Sequence, residues 1–184
     1  MSASRSSRLP RFIALATILV ALVGCDQATK VYAVKKLKGA APQSYLGDTI
    51  RIHYVENPGA FLGMGGQLDP NLKYWVLTIP TALILAWVLA FVFSSRSIDR
   101  WTFVALAMIA AGGVGNSIDR FRLGGLVIDF LNVGFGQAVW QRTGIFNVAD
   151  MAITAGFIML LPYVFKGDPK PKTAAPPSPP QAAA

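Results

Sequence analysis

Residues 12–34 read FIALATILVALVGCDQATKVYAV, and two different structures are written into them. Read as far as Cys25, the stretch follows Arg5, Arg8 and Arg11 and ends Leu22-Val23-Gly24-Cys25. A basic start, a short apolar run and small residues before a lone cysteine form the pattern of a leader removed at that cysteine. Read on to Val34, it reaches the roughly 20 residues a helix needs to cross hydrocarbon. Asp26 and Lys30 then fall four positions apart on one helical face, acid before base, the order helices favour. Such a pair is tolerated near the end of a span, where the lysine stem can also snorkel to the surface.

The rest of the chain argues for a membrane. Of 184 residues, 53% are hydrophobic and 14% charged, against about a quarter charged in an average soluble domain. Three further apolar runs, 74–93, 101–118 and 145–165, pass the length test. The expected fold is an all-α integral membrane protein: four transmembrane helices at about 12–34, 74–93, 101–118 and 145–165, with outer loops at about 35–73 and 119–144. These make one membrane domain, residues 1–166. The Pro/Ala-rich residues 167–184 read as a disordered cytoplasmic tail. Lysines and arginines divide evenly between the two sides, but they are denser on the side holding the N-terminus, where three arginines stand without an acid. Both termini are therefore expected in the cytoplasm. A net charge of +8 fits cations flanking spans better than nucleic-acid binding.

The outer loops carry pattern of their own. Tyr45–Val55 alternates with a period of two and reads as a strand. Asn57-Pro58-Gly59 supplies a turn, and Phe61, Leu62, Met64 and Leu68 among glycines suit a flap at the interface. Residues 123–135, LGGLVIDFLNVGF, also look extended. A small β-sheet with a flap on the outer (periplasmic) surface is expected.

One cysteine and one histidine, His53, leave no zinc site of the HExxH or Cys/His kind and no matching nucleophilic triad. No metal or cofactor is expected. The informative residues are polar groups at span ends. Asn116, Asp119 and Arg120 share one face through their i, i+3, i+4 spacing. Asn147 and Asp150 lie i, i+3 apart, one to two turns into the fourth span. With Asp129 in the second outer loop, and Asp26 and Lys30, all fall at one membrane depth. Each has a plain reading: a structural ion pair for Asp26 and Lys30, interfacial anchoring for Asp119 and Arg120, helix-to-helix hydrogen bonds for Asn116 and Asn147. Asp150 resists one, because no base in its own span can pair with it. His53 reads as a strand surface residue, Cys25 as a small buried side chain, and Gly112-Gly113-Val114-Gly115 as close helix packing.

Five segments in order resemble one family, the bacterial lipoprotein signal peptidases or signal peptidase II. They are Asp26-Gln27-Ala28-Thr29-Lys30, Glu56-Asn57-Pro58-Gly59-Ala60-Phe61, Gly115-Asn116-Ser117-Ile118-Asp119-Arg120, Val127-Ile128-Asp129-Phe130 and Phe146-Asn147-Val148-Ala149-Asp150. One departure is that Phe61 follows Ala60 without a further small residue. The resemblance implies an aspartic endopeptidase of the bacterial inner membrane that cuts diacylglyceryl-modified prolipoproteins before the lipidated cysteine. It implies a catalytic pair, Asp129 and Asp150, and substrate contacts from Asn57, Gly59, Asn116, Arg120 and Asn147. Asp26, Lys30 and Asp119 become supporting residues, with Asp119 orienting Arg120. Globomycin-type cyclic peptides become expected inhibitors and membrane lipids the surroundings; a monomer is the expected working unit because one active site fits within one chain. Two close carboxylates share one proton because both cannot ionise cheaply. The resemblance also favours keeping residues 12–34 as a span over cleavage at Cys25. Competing readings are a small transporter relaying protons through Asp26 and Asp150, which calls for acids near mid-span, and a scaffold lipidated at Cys25.

Overall fold

The computed structural model describes residues 9–59, 69–95 and 97–165. The apolar stretch that opens the sequence is one unbroken helix, α1, Leu9–Leu37. It is followed by strands β1, Gln43–Tyr45, and β2, Ile50–Asn57, and by helices α2, Pro70–Ser94, and α3, Arg100–Arg122. Strand β3, Val127–Val133, then precedes a 3-10 turn at Val139–Gln141 and helix α4, Val148–Phe165. Among the described residues, three helices are long and apolar enough to cross a membrane, and Val148–Tyr163 is a shorter apolar one. The residues expected to form the flap, Phe61, Leu62, Met64 and Leu68, and the 167–184 tail lie outside the described residues.

The helices are inverted relative to a soluble bundle. Val20 is 74% exposed and Trp87 68%, so large apolar side chains face outward as lipid requires. Inside, α3 contributes a run of small residues: Ala105, Ala107, Ala110 and Ala111 are all buried. Without a hydrophobic force to drive them together, membrane helices gain contact by close backbone approach at such residues. The glycines of α3 are placed for this. A Cβ on Gly112 would lie 2.3 Å from the Ala149 carbonyl of α4, one on Gly113 2.3 Å from Leu85 Cδ2 of α2, and one on Gly115 2.7 Å from Asp26 Oδ2 of α1. Three neighbouring glycines thus admit three different helices, the packing role expected of them. Gly112→Ala should cost about 1–3 kcal/mol, since its obstacle is backbone. Gly113→Ala should cost less, because Leu85 can turn aside. Thermal unfolding in detergent measures both, and equal tolerance of the two would contradict this packing.

The expected sheet is present, three antiparallel strands in the order β1-β2-β3. Its first long strand is shorter than the 45–55 expected and starts at Ile50. Leu46, Gly47 and Asp48 take positive φ values of 52°, 62° and 72°, reversing the chain between β1 and β2. Asp48 fixes that reversal by accepting from Ser44 Oγ and Arg51 Nε, both at 2.7 Å. β2 pairs with β3 in a register running from Ile50↔Val133 to Asn57↔Val127, with a shift between Ile52 and Val55. The sheet rests on the end of α1, where Ile128 packs with Ala33 and Leu37. At the opposite end of the bundle, Arg11 Nη2 donates to the Ile98 carbonyl at 2.7 Å, clasping α1 to the α2–α3 connection.

Two further expectations change. The fourth helix begins at Val148, not at 145. Ile145 and Phe146 are apolar but extended, and Phe146 exchanges hydrogen bonds with Leu131 at 2.8 and 2.9 Å. Asn147 and Asp150 are therefore at the very start of α4 rather than a turn or two within it. Cys25 is exposed, not buried. Asp26 must face inward, and a helix turns adjacent side chains about 100° apart.

Candidate active site

The start of α4 organises the site. Asn147 Oδ1 accepts from Asp150 N at 3.0 Å, and Asp150 Oδ2 accepts from Asn147 N at 3.1 Å. This is a reciprocal capping box with aspartate at the third helical position. It satisfies donors the helix would otherwise leave open, and it fixes Asp150 at the positive end of the helix. The second oxygen, Oδ1, accepts from Asn116 Nδ2 of α3 at 2.8 Å.

Asn147 also reaches the other carboxylate. Its Nδ2 donates to Asp129 Oδ1 at 2.6 Å, to Asn116 Oδ1 at 3.0 Å and to the Ile128 carbonyl at 3.2 Å. One asparagine therefore touches both acids. Asp129 comes from β3, directly across from Val55 of β2. Its Oδ2 accepts from Asn57 Nδ2 at 2.8 Å, while Asn57 Oδ1 accepts from Gly59 N at 2.9 Å. Gly59 has φ of 70°, and a Cβ there would lie 3.1 Å from Leu77 Cδ1 and 3.8 Å from Arg120 Nη2. A glycine suits this turn on both counts. Arg120 is half-buried, and Asp150, Asp129 and Asp119 are the carboxylates whose charge reaches it. Among the described residues it forms no ion pair, and its buried Nε has no hydrogen-bond partner.

Burial, reinforced by the charge of Asp150, pushes the Asp129 carboxyl up to about 6 against the pull of Asn57 and Asn147. The sign for stability follows. Below the unfolded value near 3.8 the acid is neutral in both states, and its contribution is fully present. As pH rises through about 6, the folded protein must ionise a buried group and loses stability, by up to roughly 3 kcal/mol. The melting temperature of wild type relative to Asp129→Asn should therefore fall between pH 4 and pH 7 and level off above. A difference independent of pH would refute the buried, partly neutral acid.

Behind the two acids lies a buried charged cluster. Lys30 Nζ is 2.9 Å from both Asp26 Oδ2 and Asp119 Oδ2, with Asp26 0%, Lys30 1% and Asp119 3% exposed. Lys30 donates to Asn116 Oδ1 at 2.9 Å, which turns the Asn116 amide nitrogen toward Asp150. Asp26 Oδ1 accepts from Ala149 N in the first turn of α4 at 2.9 Å. Asp119 Oδ2 accepts from Ile128 N, next to Asp129, at 3.0 Å. Asp119 was expected to orient Arg120; its bonds instead go to Lys30, Gln27 and β3. Asp26 and Lys30 are the expected ion pair, with Asp119 as a third member.

The described chain thus gathers Asn57, Gly59, Asn116, Arg120, Asp129, Asn147 and Asp150 at one end of the bundle, over Asp26, Lys30 and Asp119. Gln27 escaped the sequence reading. Its Nε2 bridges Asp119 Oδ1 at 3.1 Å, Asp26 Oδ2 at 3.2 Å and the Gly115 carbonyl at 3.2 Å. An amide among apolar residues on a spanning helix was the available signal.

The family model for signal peptidase (SPase) II matches residues 18–166. The chain belongs to the signal peptidase II family. It is 35% identical over 165 residues to the lipoprotein signal peptidase of Borrelia turicatae (strain 91E135), covering 89% of this chain and 94% of that one. It is 35% identical over 166 residues to that of Mycobacterium avium (strain 104), covering 87% and 84%. A bacterial membrane enzyme solved by the in meso method at 1.9 Å resolution superposes with a TM-score of 0.70 at 25% identity, over 84% of this chain and 94% of that one. A second, at 2.3 Å resolution, gives 0.67 at 27% identity over 83% and 88%. Membership makes this chain a multi-pass bacterial membrane protein and a protease.

Proposed function

We propose that the chain is an aspartic endopeptidase that removes signal peptides from diacylglyceryl-modified prolipoproteins, cutting before the lipidated cysteine. It sits in the cytoplasmic membrane with four spans, α1 retained, both termini inside and the sheet and site at the outer face. The observation that carries this reading is the pair Asp129 and Asp150, tied together by Asn147. Family membership supplies the substrate class.

Of the pair, Asp129, whose carboxyl burial raises, is the one suited to hold a shared proton. Asp150, at the helix end and accepting from two N–H donors, is placed to act as the base. A water between them gives its proton to Asp150 as its oxygen attacks the scissile carbonyl carbon, and Asp129 donates to the carbonyl oxygen. The tetrahedral centre then collapses. The C–N bond breaks, the departing nitrogen takes the proton from Asp150, and a hydroxyl proton returns to Asp129. The products are a signal-peptide carboxylic acid and a lipoprotein with a free amino group on its cysteine. Among the described residues Arg120 Nε has no hydrogen-bond partner, and it is suited to hold a substrate carbonyl beside this pair. A cavity of about 540 Å³ runs from Asp150 along Met151, Ala155 and Ile158 of α4, giving apolar substrate parts a route that stays in the bilayer.

The test is cleavage in detergent of one precursor with and without its diacylglyceryl group, read by product mass. Cutting before the cysteine of the modified form is expected, with globomycin-type cyclic peptides blocking it and raising the melting temperature. Equal cutting of the unmodified precursor, or no cutting of either, would overturn the proposal.

A further inference from the structure

A second cavity, of about 210 Å³, is lined by the C-terminal parts of α1 and α3 and by Ile128 of β3, and neither Asp129 nor Asp150 lines it. Its walls are Val31, Val34 and Leu123, and exposed Lys35 and Arg122 stand at its mouth. Its floor is the outer surface of the Lys30–Asp119 pair. Among the described residues, neither Lys35 nor Arg122 has a carboxylate within ion-pair distance. A basic residue in a last helical turn complements the helix dipole. That accounts for a cation on each helix, but not for two of them facing one cavity with apolar walls. The apolar wall also continues into the bilayer, since exposed Val20 lies three turns before Val31 on the same face of α1.

The geometry points to a binding site for an anionic phospholipid, its phosphate between Lys35 and Arg122 and one acyl chain along Val31 toward Val20. Two cations over an apolar wall at the end of a span match a phosphodiester joined to a hydrocarbon chain. A zwitterionic lipid offers the same chain, but its own ammonium competes for the phosphate. The occupant would cover the floor formed by Lys30 and Asp119, and so shield the ion pair that orients Asn116.

Native mass spectrometry of the full chain, released from detergent containing equal phosphatidylglycerol and phosphatidylcholine, tests the site. Wild type should retain phosphatidylglycerol in preference. Lys35→Gln with Arg122→Gln should weaken it about 25-fold, at about fivefold per charge removed. Lys36→Gln with Lys38→Gln removes the same charge outside the cavity and should change retention less than about twofold. Val34→Trp fills the cavity without altering charge and should also displace the lipid. Equal retention of the two lipids, equal loss in both charge pairs, or full retention in Val34→Trp would each overturn the site. The readout is bound lipid, so it fails or succeeds independently of the peptidase proposal.

Discussion

Asp150→Asn is expected to fold and to lose about 10²–10⁴-fold in turnover, the range that a positioned proton-transfer group contributes. The substitution keeps the shape of the side chain. One amide oxygen can still accept from Asn147 N and hold most of the cap. The nitrogen that replaces Oδ1 would face Asn116 Nδ2, donor against donor, so a stability loss of about 1 kcal/mol is expected. That is too small to unfold the protein, and it separates this variant from a structural failure. What vanishes is the ability to take a proton from water. Asp129→Asn should lose turnover to a similar degree for the complementary reason, as no acid is left to protonate the carbonyl oxygen. Rates are to be measured with a diacylglyceryl-modified precursor, alongside melting temperatures. A folded Asp150→Asn retaining a tenth or more of wild-type turnover would remove Asp150 from the chemistry and leave it only the capping role seen in its bond to Asn147 N.

Hydropathy placed the helices because lipid demands long apolar runs, and period-two alternation with glycine punctuation placed the sheet. Helix ends were less legible. Ile145 and Phe146 are as apolar as the span they precede, and only the pairing of Phe146 with Leu131 makes them extended, a contact between segments that hydropathy does not encode. The turn at Leu46–Asp48 was hidden for a similar reason, since a leucine at positive φ is held by Asp48 bonding to Ser44 and Arg51. The site residues stood out because each is polar where lipid disfavours polarity. Their partnerships did not, because neighbours in sequence were favoured over neighbours in space: Asp119 was assigned to Arg120 and proved to bond Lys30 and Ile128 N. The neutral-acid tendency of Asp129 depends on burial and on Asp150, and neither is visible in the segment Val127–Phe130.

Lys30→Met should be the most destabilising single change in the described chain. Lys30 is the one cation bonded to both Asp26 and Asp119, and its removal leaves two buried carboxylates facing each other. Breaking a buried pair from one side costs about 3–5 kcal/mol, a large part of the roughly 5–15 kcal/mol that holds a domain folded. A second consequence is separable from the first. Without the Lys30 bond, the Asn116 carbonyl keeps only Asn147 as a donor, and its amide no longer has one preferred orientation toward Asp150. The triple variant Lys30→Met, Asp26→Asn, Asp119→Asn distinguishes the two effects. Asparagine oxygens can still accept from Ala149 N and Ile128 N, the bonds that tie α4 and β3 to this cluster, and no unpaired charge remains. Its melting temperature should recover most of the loss, because replacing a whole buried ionic cluster with neutral groups is often close to neutral. Its turnover should stay depressed, because nothing restores the donor to Asn116. Recovery of both together would mean that Lys30 serves stability alone, and that Asn116 is held for Asp150 by Asn147 without its help.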